Sequence, residues 1–232
     1  MALFEREQDE FRSDAGTRAL SAIAVENDFV ARVYEKLASS YDLFFGRTLN
    51  AGRMLAYQQM DIQPNDRILE VGVGTGINTS LYPRNCVVTG IDLSSSMLDI
   101  ARQRVAQERR HNVRLLEMDA AALTFPDHSF DIVYAPYLIN VVSDPLKVVH
   151  EMKRVCRPGG KIIFVNHFRS ENFVLSRLER AISPLTVHIG FKSDFDLSGF
   201  VAQAELEPAT IHHIHAARFW SVITYINPER AQ

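Results

Sequence analysis

Hydrophobic and polar positions follow two rhythms along the chain, and the change falls near residue 64. From Thr17 to about Met60 apolar residues recur at helical spacing. Phe29, Val33 and Leu37 lie four apart, and Phe45, Leu49, Ala56 and Met60 continue the stripe. Pro64-Asn65-Asp66 then interrupts the pattern. Beyond it, short β-branched runs predict strands over 67–71, 86–91, 113–118, 129–135 and 161–165. Helices are predicted between them, one capped by Ser94 and running to about Arg110, another over 144–156 ended by Arg157-Pro158-Gly159-Gly160. The last part reads as helices over 172–185 and 193–204, then strands over 209–217 and 218–226 whose short junction predicts an antiparallel pair. Strands alternating with helices imply βαβ crossovers and an α/β fold with a mainly parallel sheet. Residues 1–16 are acidic and weakly patterned, as expected of a loosely held arm.

Composition narrows the class. With 232 residues, 47% hydrophobic and 23% charged, the chain has enough apolar content for one sizeable core, against disorder or a disulfide scaffold. A net charge of −3 gives no overall basic field for nucleic acid. Cys86 and Cys156 form no C-x-x-C pair and read as free thiols of a reducing compartment. Glu5, Arg6 and Glu7 leave no room for an apolar leader, and the most apolar stretch, 132–142, contains Pro136 and Asn140 and falls short of the ~20 residues that span a bilayer. The expectation is a cytoplasmic protein.

The sharpest motif is Glu70-Val71-Gly72-Val73-Gly74-Thr75-Gly76, after one predicted strand and before a predicted helix. Such glycines permit a tight turn and close approach of a ligand to backbone. A dinucleotide site wants G-x-G-x-x-G; here the spacing is G-x-G-x-G, with Ile77 where the third dinucleotide glycine falls. Glu70 beside the loop disfavours a pyrophosphate and favours a cationic ligand, such as the sulfonium and α-ammonium of S-adenosylmethionine. Asp92 ends the second strand, at the spacing of an acid that accepts ribose hydroxyls. Asp119, followed by Ala120 and Ala121, offers one acceptor on a small-residue rim suited to an adenine amino group. Taken only as structure, these acids would be helix caps.

At these residues the sequence resembles the class I S-adenosylmethionine-dependent methyltransferases, in Ile68 to Gly76 for their first motif and Arg154 to Gly160 for the turn before their fifth strand. The resemblance covers roughly residues 30 to 227. It implies a Rossmann-like fold with a seven-stranded, mainly parallel sheet whose last strand is antiparallel. An N-terminal helical extension and lid would occupy residues 1–60 and the catalytic domain 61–232. It further implies a cofactor site at Tyr34, Glu70, Gly72, Gly74, Gly76, Asp92, Leu93, Met97, Asp119, Ala120 and Ala135, with S-adenosylhomocysteine as the released product.

The substrate depends on what is added to that core. Tyr34, Tyr41 and Asp42 lie in the lid region, Ala135-Pro136-Tyr137-Leu138-Ile139-Asn140 follows the fourth strand, and Asn166-His167-Phe168 ends the fifth. Aromatic rings, an imidazole and an amide suit methyl transfer to nitrogen. The ammonium must first lose a proton to a base such as His167 or through a tyrosine, and aromatic faces attract the methylated cation. Tyr41, Tyr137, His167 and Asn140 are therefore the catalytic candidates, although Asn140 also suits a turn cap and the tyrosines also suit a core. His212, His213 and His215 invite a metal, but no acidic or cysteine cluster lies nearby in sequence, so no metal site is expected.

A closer resemblance lies in Tyr34 to Arg53 and Val165 to Phe168, which are similar to soluble bacterial phosphatidylethanolamine N-methyltransferases. It implies up to three methylations of phosphatidylethanolamine to phosphatidylcholine by a peripheral protein on an anionic membrane, with a monomer favoured. Two segments have residues for such contact. One has Leu43, Phe44, Phe45, Leu49, Met54 and Leu55 among Arg47 and Arg53; the other has Val174, Leu178, Ile182 and Leu185 with Arg177 and Arg180. Arg102, Arg104, Arg109, Arg110 and Arg114 read as a solvated helix face. The competing readings are a methyltransferase for a small amine or quinone intermediate and a non-catalytic cofactor-binding module at the membrane surface.

Overall fold

The computed structural model describes residues 49–168, 196–214 and 220–228. The expected helix over 172–185, and most of the one expected before Met60, lie outside these residues. The chain enters through helix α1 (Asn50–Met60) and continues as strand β1 (Arg67–Val71), β2 (Val87–Asp92), helix α2 (Ser95–Gln107) and β3 (Val113–Glu117). Strand β4 (Phe130–Pro136), helix α3 (Pro145–Val155) and β5 (Cys156–His167) follow. Helix α4 (Leu197–Gln203), β6 (Ala209–Ile214) and β7 (Trp220–Ile226) complete the described chain. The seven strands lie in the order β3-β2-β1-β4-β5-β7-β6. The first five are parallel, and β7 runs antiparallel between β5 and β6, as the paired final runs predict.

Why the sheet is parallel is visible in β1, where Ile68 to Val71 are all buried. Such a strand needs cover on both faces, which crossover helices provide. On one face Leu69, Val71, Val133 and Phe164 pack against Val148, Val149 and Met152 of α3 and Phe200 of α4. On the other, Ile68, Tyr134, Ile163 and Val165 meet Ala56 and Met60 of α1. Caps fix the helix starts. Ser94 Oγ accepts from Met97 N, Asp144 Oδ1 from Lys147 N and Asp196 Oδ2 from Gly199 N.

Three local expectations change. The helix predicted directly after the glycine loop is a run of turns, with Thr79 N donating to Gly76 O and Leu81 N to Asn78 O. The side chains of Asn78 and Thr79 turn back to Glu70 and to Gly76 O, which competes with helical pairing. Arg157 to Gly160 is no clean stop but the irregular start of β5, with a register shift between Phe130 and Ile132 of β4. Gly159 N donates there to Asn227 O, and Asn227 Nδ2 donates to Cys156 O. Arg110, expected in solvent, is buried and donates to Tyr82 O.

Helix α1 seats itself through one close approach. A Cβ at Gly52 would clash with Tyr137 Oη and stand 2.8 Å from Val165 Cγ1. Its apolar side thus faces the sheet: Leu49 is buried and Leu55 packs on the core, while Met54 is exposed. The described half of the first expected membrane segment therefore belongs largely to the core. Gly52→Ala is expected to lower the melting temperature, although alanine favours an isolated helix by about 1 kcal/mol. An unchanged or raised melting temperature in a thermal unfolding scan would show that the contact is loose.

Candidate active site

The carboxyl ends of β1, β2 and β4 open onto one cleft, where ligands of open α/β sheets bind. Its walls include Gly72 to Thr75, Asp92 to Ser94, Met97, Met118 to Ala121 and Pro136 to Leu138, with Arg53, Asn78, Ser143 and Asp144 completing them. The glycine loop is held from behind and is open in front. Gly72 N and Val73 N both donate to Ile91 O, which splices the loop onto β2. At Gly74 φ is +54° and no atom lies within 4 Å of where a Cβ would be, so the backbone is bare on the side a ligand approaches.

Asp92 connects the loop to the next helix. Oδ2 accepts from Gly74 N at 2.8 Å and Oδ1 from Ser94 N at 2.9 Å. Burial raises its pKa above the usual carboxylate value, while these backbone N–H groups act the other way. Each oxygen still has a lone pair for a ribose hydroxyl. Leu93 and Met97 line the same wall. Asp119 Oδ1 accepts from Ala121 N at 2.8 Å and borders the cleft beside Ala120. Gly76 instead packs on Ala101, and Ala135 is sealed in the core, so neither lines the cleft.

Glu70 occupies a different position from the one its charge suggested. It is fully buried on the α1 side of β1, across from Tyr134, and the cleft wall does not include it. Asn78 Nδ2 donates to Oε1 at 2.6 Å and Tyr82 OH to Oε2 at 2.7 Å. Burial pushes its pKa up to about 7, against those two hydrogen bonds and the attraction of Arg53. Glu70 thus acts behind the glycine loop as the anchor of the turns that follow it.

The catalytic candidates separate likewise. Tyr137 lines the cleft, with φ +57°, a conformation that a bulky side chain seldom adopts. It is held there because Tyr137 N donates to Val165 O at 2.6 Å and its hydroxyl to Leu49 O at 2.6 Å. Asn140 is buried outside the cleft wall and donates to His167 O at 2.6 Å, joining the loop after β4 to the end of β5. His167 is likewise outside the wall. Its ring stands edge-on to Trp220, 5.3 Å between centroids, and burial lowers its pKa to about 4, which keeps the imidazole neutral at physiological pH. Tyr34 and Tyr41 lie outside the described residues. His213 Nδ1 lies 2.9 Å from Ser221 Oγ, and His215 is outside the described residues.

Sequence reasoning missed Arg53, assigned above to a lipid-facing surface. It is 5% exposed, lines the cleft and sits with Cζ 5.6 Å from the Tyr137 ring centroid. It also missed Asn78 and Tyr82, whose only signal is their place 8 and 12 residues after a strand-end acid.

The chain is similar to proteins of known family. A family model described as a methyltransferase domain matches residues 69–164. A phosphatidylethanolamine N-methyltransferase of Cereibacter sphaeroides is 40% identical over 184 residues, 79% of this chain and 90% of its own length. A demethylmenaquinone methyltransferase of Listeria monocytogenes is 32% identical over 146 residues, 59% of this chain and 61% of the relative. Among solved structures, a Haemonchus contortus phosphoethanolamine N-methyltransferase in complex with S-adenosyl-L-methionine has the same fold, with a TM-score of 0.67 at 16% identity over 84% of this chain and 57% of that one. The YcgJ protein of Bacillus subtilis matches with a TM-score of 0.62 at 25% identity, over 71% and 70% of the two chains.

The buried carboxyl gives a pH signature. Glu70 binds its proton more tightly folded, at about 7, than at the ordinary 4.5 of an exposed glutamate. Its contribution to stability is therefore full below pH 4.5 and is lost as the pH rises through 7, by on the order of 3 kcal/mol. Glu70→Gln removes this dependence. Its stability relative to wild type is expected to improve from pH 5 to pH 8 in denaturant titrations; a constant difference would mean that Glu70 does not titrate in this range.

Proposed function

We propose that this chain, which belongs to the methyltransferase family, transfers methyl groups from S-adenosylmethionine to the amine of phosphatidylethanolamine and its methylated intermediates, giving phosphatidylcholine. The observation that carries the substrate is the 40% identity to a phosphatidylethanolamine N-methyltransferase across 90% of that relative. The donor set of the cleft fits the cofactor. The bare backbone at Gly74 leaves room for a ligand, Asp92 has acceptor capacity for ribose hydroxyls, and Asp119 beside Ala120 offers an acceptor to an adenine amino group. When bound, S-adenosylmethionine supplies a methyl group activated by its positive sulfur.

The residues of the chain then have separable tasks. Gly72 and Gly74, with Asp92, Leu93, Met97, Asp119 and Ala120, form the cofactor wall, whereas Glu70 and Gly76 act through the shape of the loop. An alkylammonium has no lone pair, so the acceptor must shed a proton before each transfer. Tyr137 lines the cleft, with its hydroxyl fixed by donation to Leu49 O, and is the residue placed to orient the nucleophile. His167 and Asn140 shape the end of β5 from outside the wall. Tyr34 and Tyr41 retain the roles that the family resemblance implies, in a lid formed by residues 1–60.

A lipid acceptor requires the protein to reach the bilayer surface. Among the described residues no helix is long and apolar enough to cross a membrane. Peripheral contact with an anionic membrane is therefore part of the proposal, made by residues before 49 and by the segment over 172–185. A second reading, methylation of a quinone-type small molecule, is favoured by the 32% identity to a demethylmenaquinone methyltransferase, over a smaller share of both chains.

Incubation with methyl-labelled S-adenosylmethionine and phosphatidylethanolamine vesicles, with and without anionic lipid, is expected to give mono-, di- and trimethylated lipid in order by mass. No labelled lipid from protein that binds S-adenosylhomocysteine would favour the small-molecule reading. Asp92→Ala is expected to weaken S-adenosylhomocysteine binding by about 1–3 kcal/mol, through lost acceptors for the ligand and for Gly74 N. Unchanged affinity in calorimetry would remove Asp92 from the site.

A further inference from the structure

We propose that Arg53 selects the acceptor by holding its phosphate, so that the cleft reads a zwitterionic headgroup and not an amine alone. The inference rests on the phosphatidylethanolamine reading above and deepens it. Arg53 is the one cation among the described residues that line the cleft, whereas three carboxylates, Asp92, Asp119 and Asp144, line it as well. The cleft therefore carries charge of both signs, as does an acceptor whose amine and phosphate are two carbons apart.

The position of Arg53 is built, not incidental. A guanidinium that is 5% exposed is costly to desolvate unless its surroundings compensate. The Tyr137 ring lies against it at 5.6 Å, and the buried Glu70 attracts it from behind the loop. Its helix is fixed at the same place. Leu49 O, one turn before Arg53, accepts from the Tyr137 hydroxyl, and the neighbouring Gly52 touches Tyr137 and Val165.

These contacts also decide which ligand the cation serves. Helix α1 makes its most extensive contacts with β5 and β7 and is tied to the loop after β4 through Tyr137, whereas Asp92 and the glycine loop stand at the β1–β2 end of the cleft. A side chain referenced to the β4–β5 end reports on whatever approaches beside Tyr137, which is the acceptor. An arginine suits this role because its planar fork meets two phosphate oxygens at once, which a lysine does not.

The test compares wild type, Arg53→Gln and Arg53→Lys on two acceptors in neutral detergent micelles: phosphatidylethanolamine, and a long-chain ester of ethanolamine that lacks the phosphate. The affinity for S-adenosylhomocysteine is measured in parallel by calorimetry. Arg53→Gln is expected to lower kcat/KM for phosphatidylethanolamine by about ten- to a hundredfold, with little change on the phosphate-free ester and in S-adenosylhomocysteine affinity. Arg53→Lys should recover part of the loss. An equal fall on both acceptors, or a fall in S-adenosylhomocysteine affinity that matches the loss of turnover, would overturn the assignment, the first because the role is structural and the second because the arginine holds the cofactor. Absence of phosphatidylethanolamine turnover by wild type would instead refute the substrate reading on which the inference rests.

Discussion

The cleft depends on a carboxyl group that never reaches it. Glu70 is buried under the glycine loop and gives both oxygens to residues that follow the loop, Asn78 and Tyr82. A buried carboxyl without partners would be strongly destabilising, so the turns after Gly76 must fold so as to satisfy it. That requirement bends residues 77–81 away from a helix and back over β1. The front of the loop, at Gly74, is then left bare and joined to Asp92. Loop shape and acid position follow from one polar anchor.

The Tyr137 side of the cleft has its own constraint, shared between a helix and a strained tyrosine. Tyr137 keeps an unfavourable backbone conformation because its amide, hydroxyl and ring are each engaged, by Val165, Leu49 and Trp220. The same hydroxyl fixes α1, and α1 carries Arg53 into the cleft. Asp92 with the glycine loop, and Arg53 with Tyr137, thus line one cleft over the carboxyl ends of β1, β2 and β4.

Much of this was legible in the sequence because period and punctuation are local properties. β1 to β4, the cap Ser94 and the antiparallel final pair follow from alternating apolar runs and from turn residues. Asp92, Asp119 and Ala120 at the cleft follow from their places at or just beyond strand ends, and Leu93 and Met97 from the family resemblance. What was not legible depends on which way a side chain faces after tertiary packing. Glu70 reads as a ligand-facing acid, yet strand alternation places it with Ile68 on the α1 face. Arg53 and Arg110 read as surface cations and are buried, since charge predicts exposure only where no long-range partner exists. His167 ends β5, none of whose residues lines the cleft, and its ring packs on Trp220.

The central claim is that Glu70 builds the cofactor cleft from behind and does not bind through its charge. The most direct measurement is calorimetric titration of S-adenosylhomocysteine into wild type, Glu70→Gln and Glu70→Ala near neutral pH. The account predicts that Gln, which keeps an acceptor and fills the same space, binds within a few-fold of wild type, whereas Ala frees Asn78 and Tyr82 and binds at least tenfold more weakly. Equal, large losses in both variants would contradict it, because they would make the carboxylate itself a contact of the ligand.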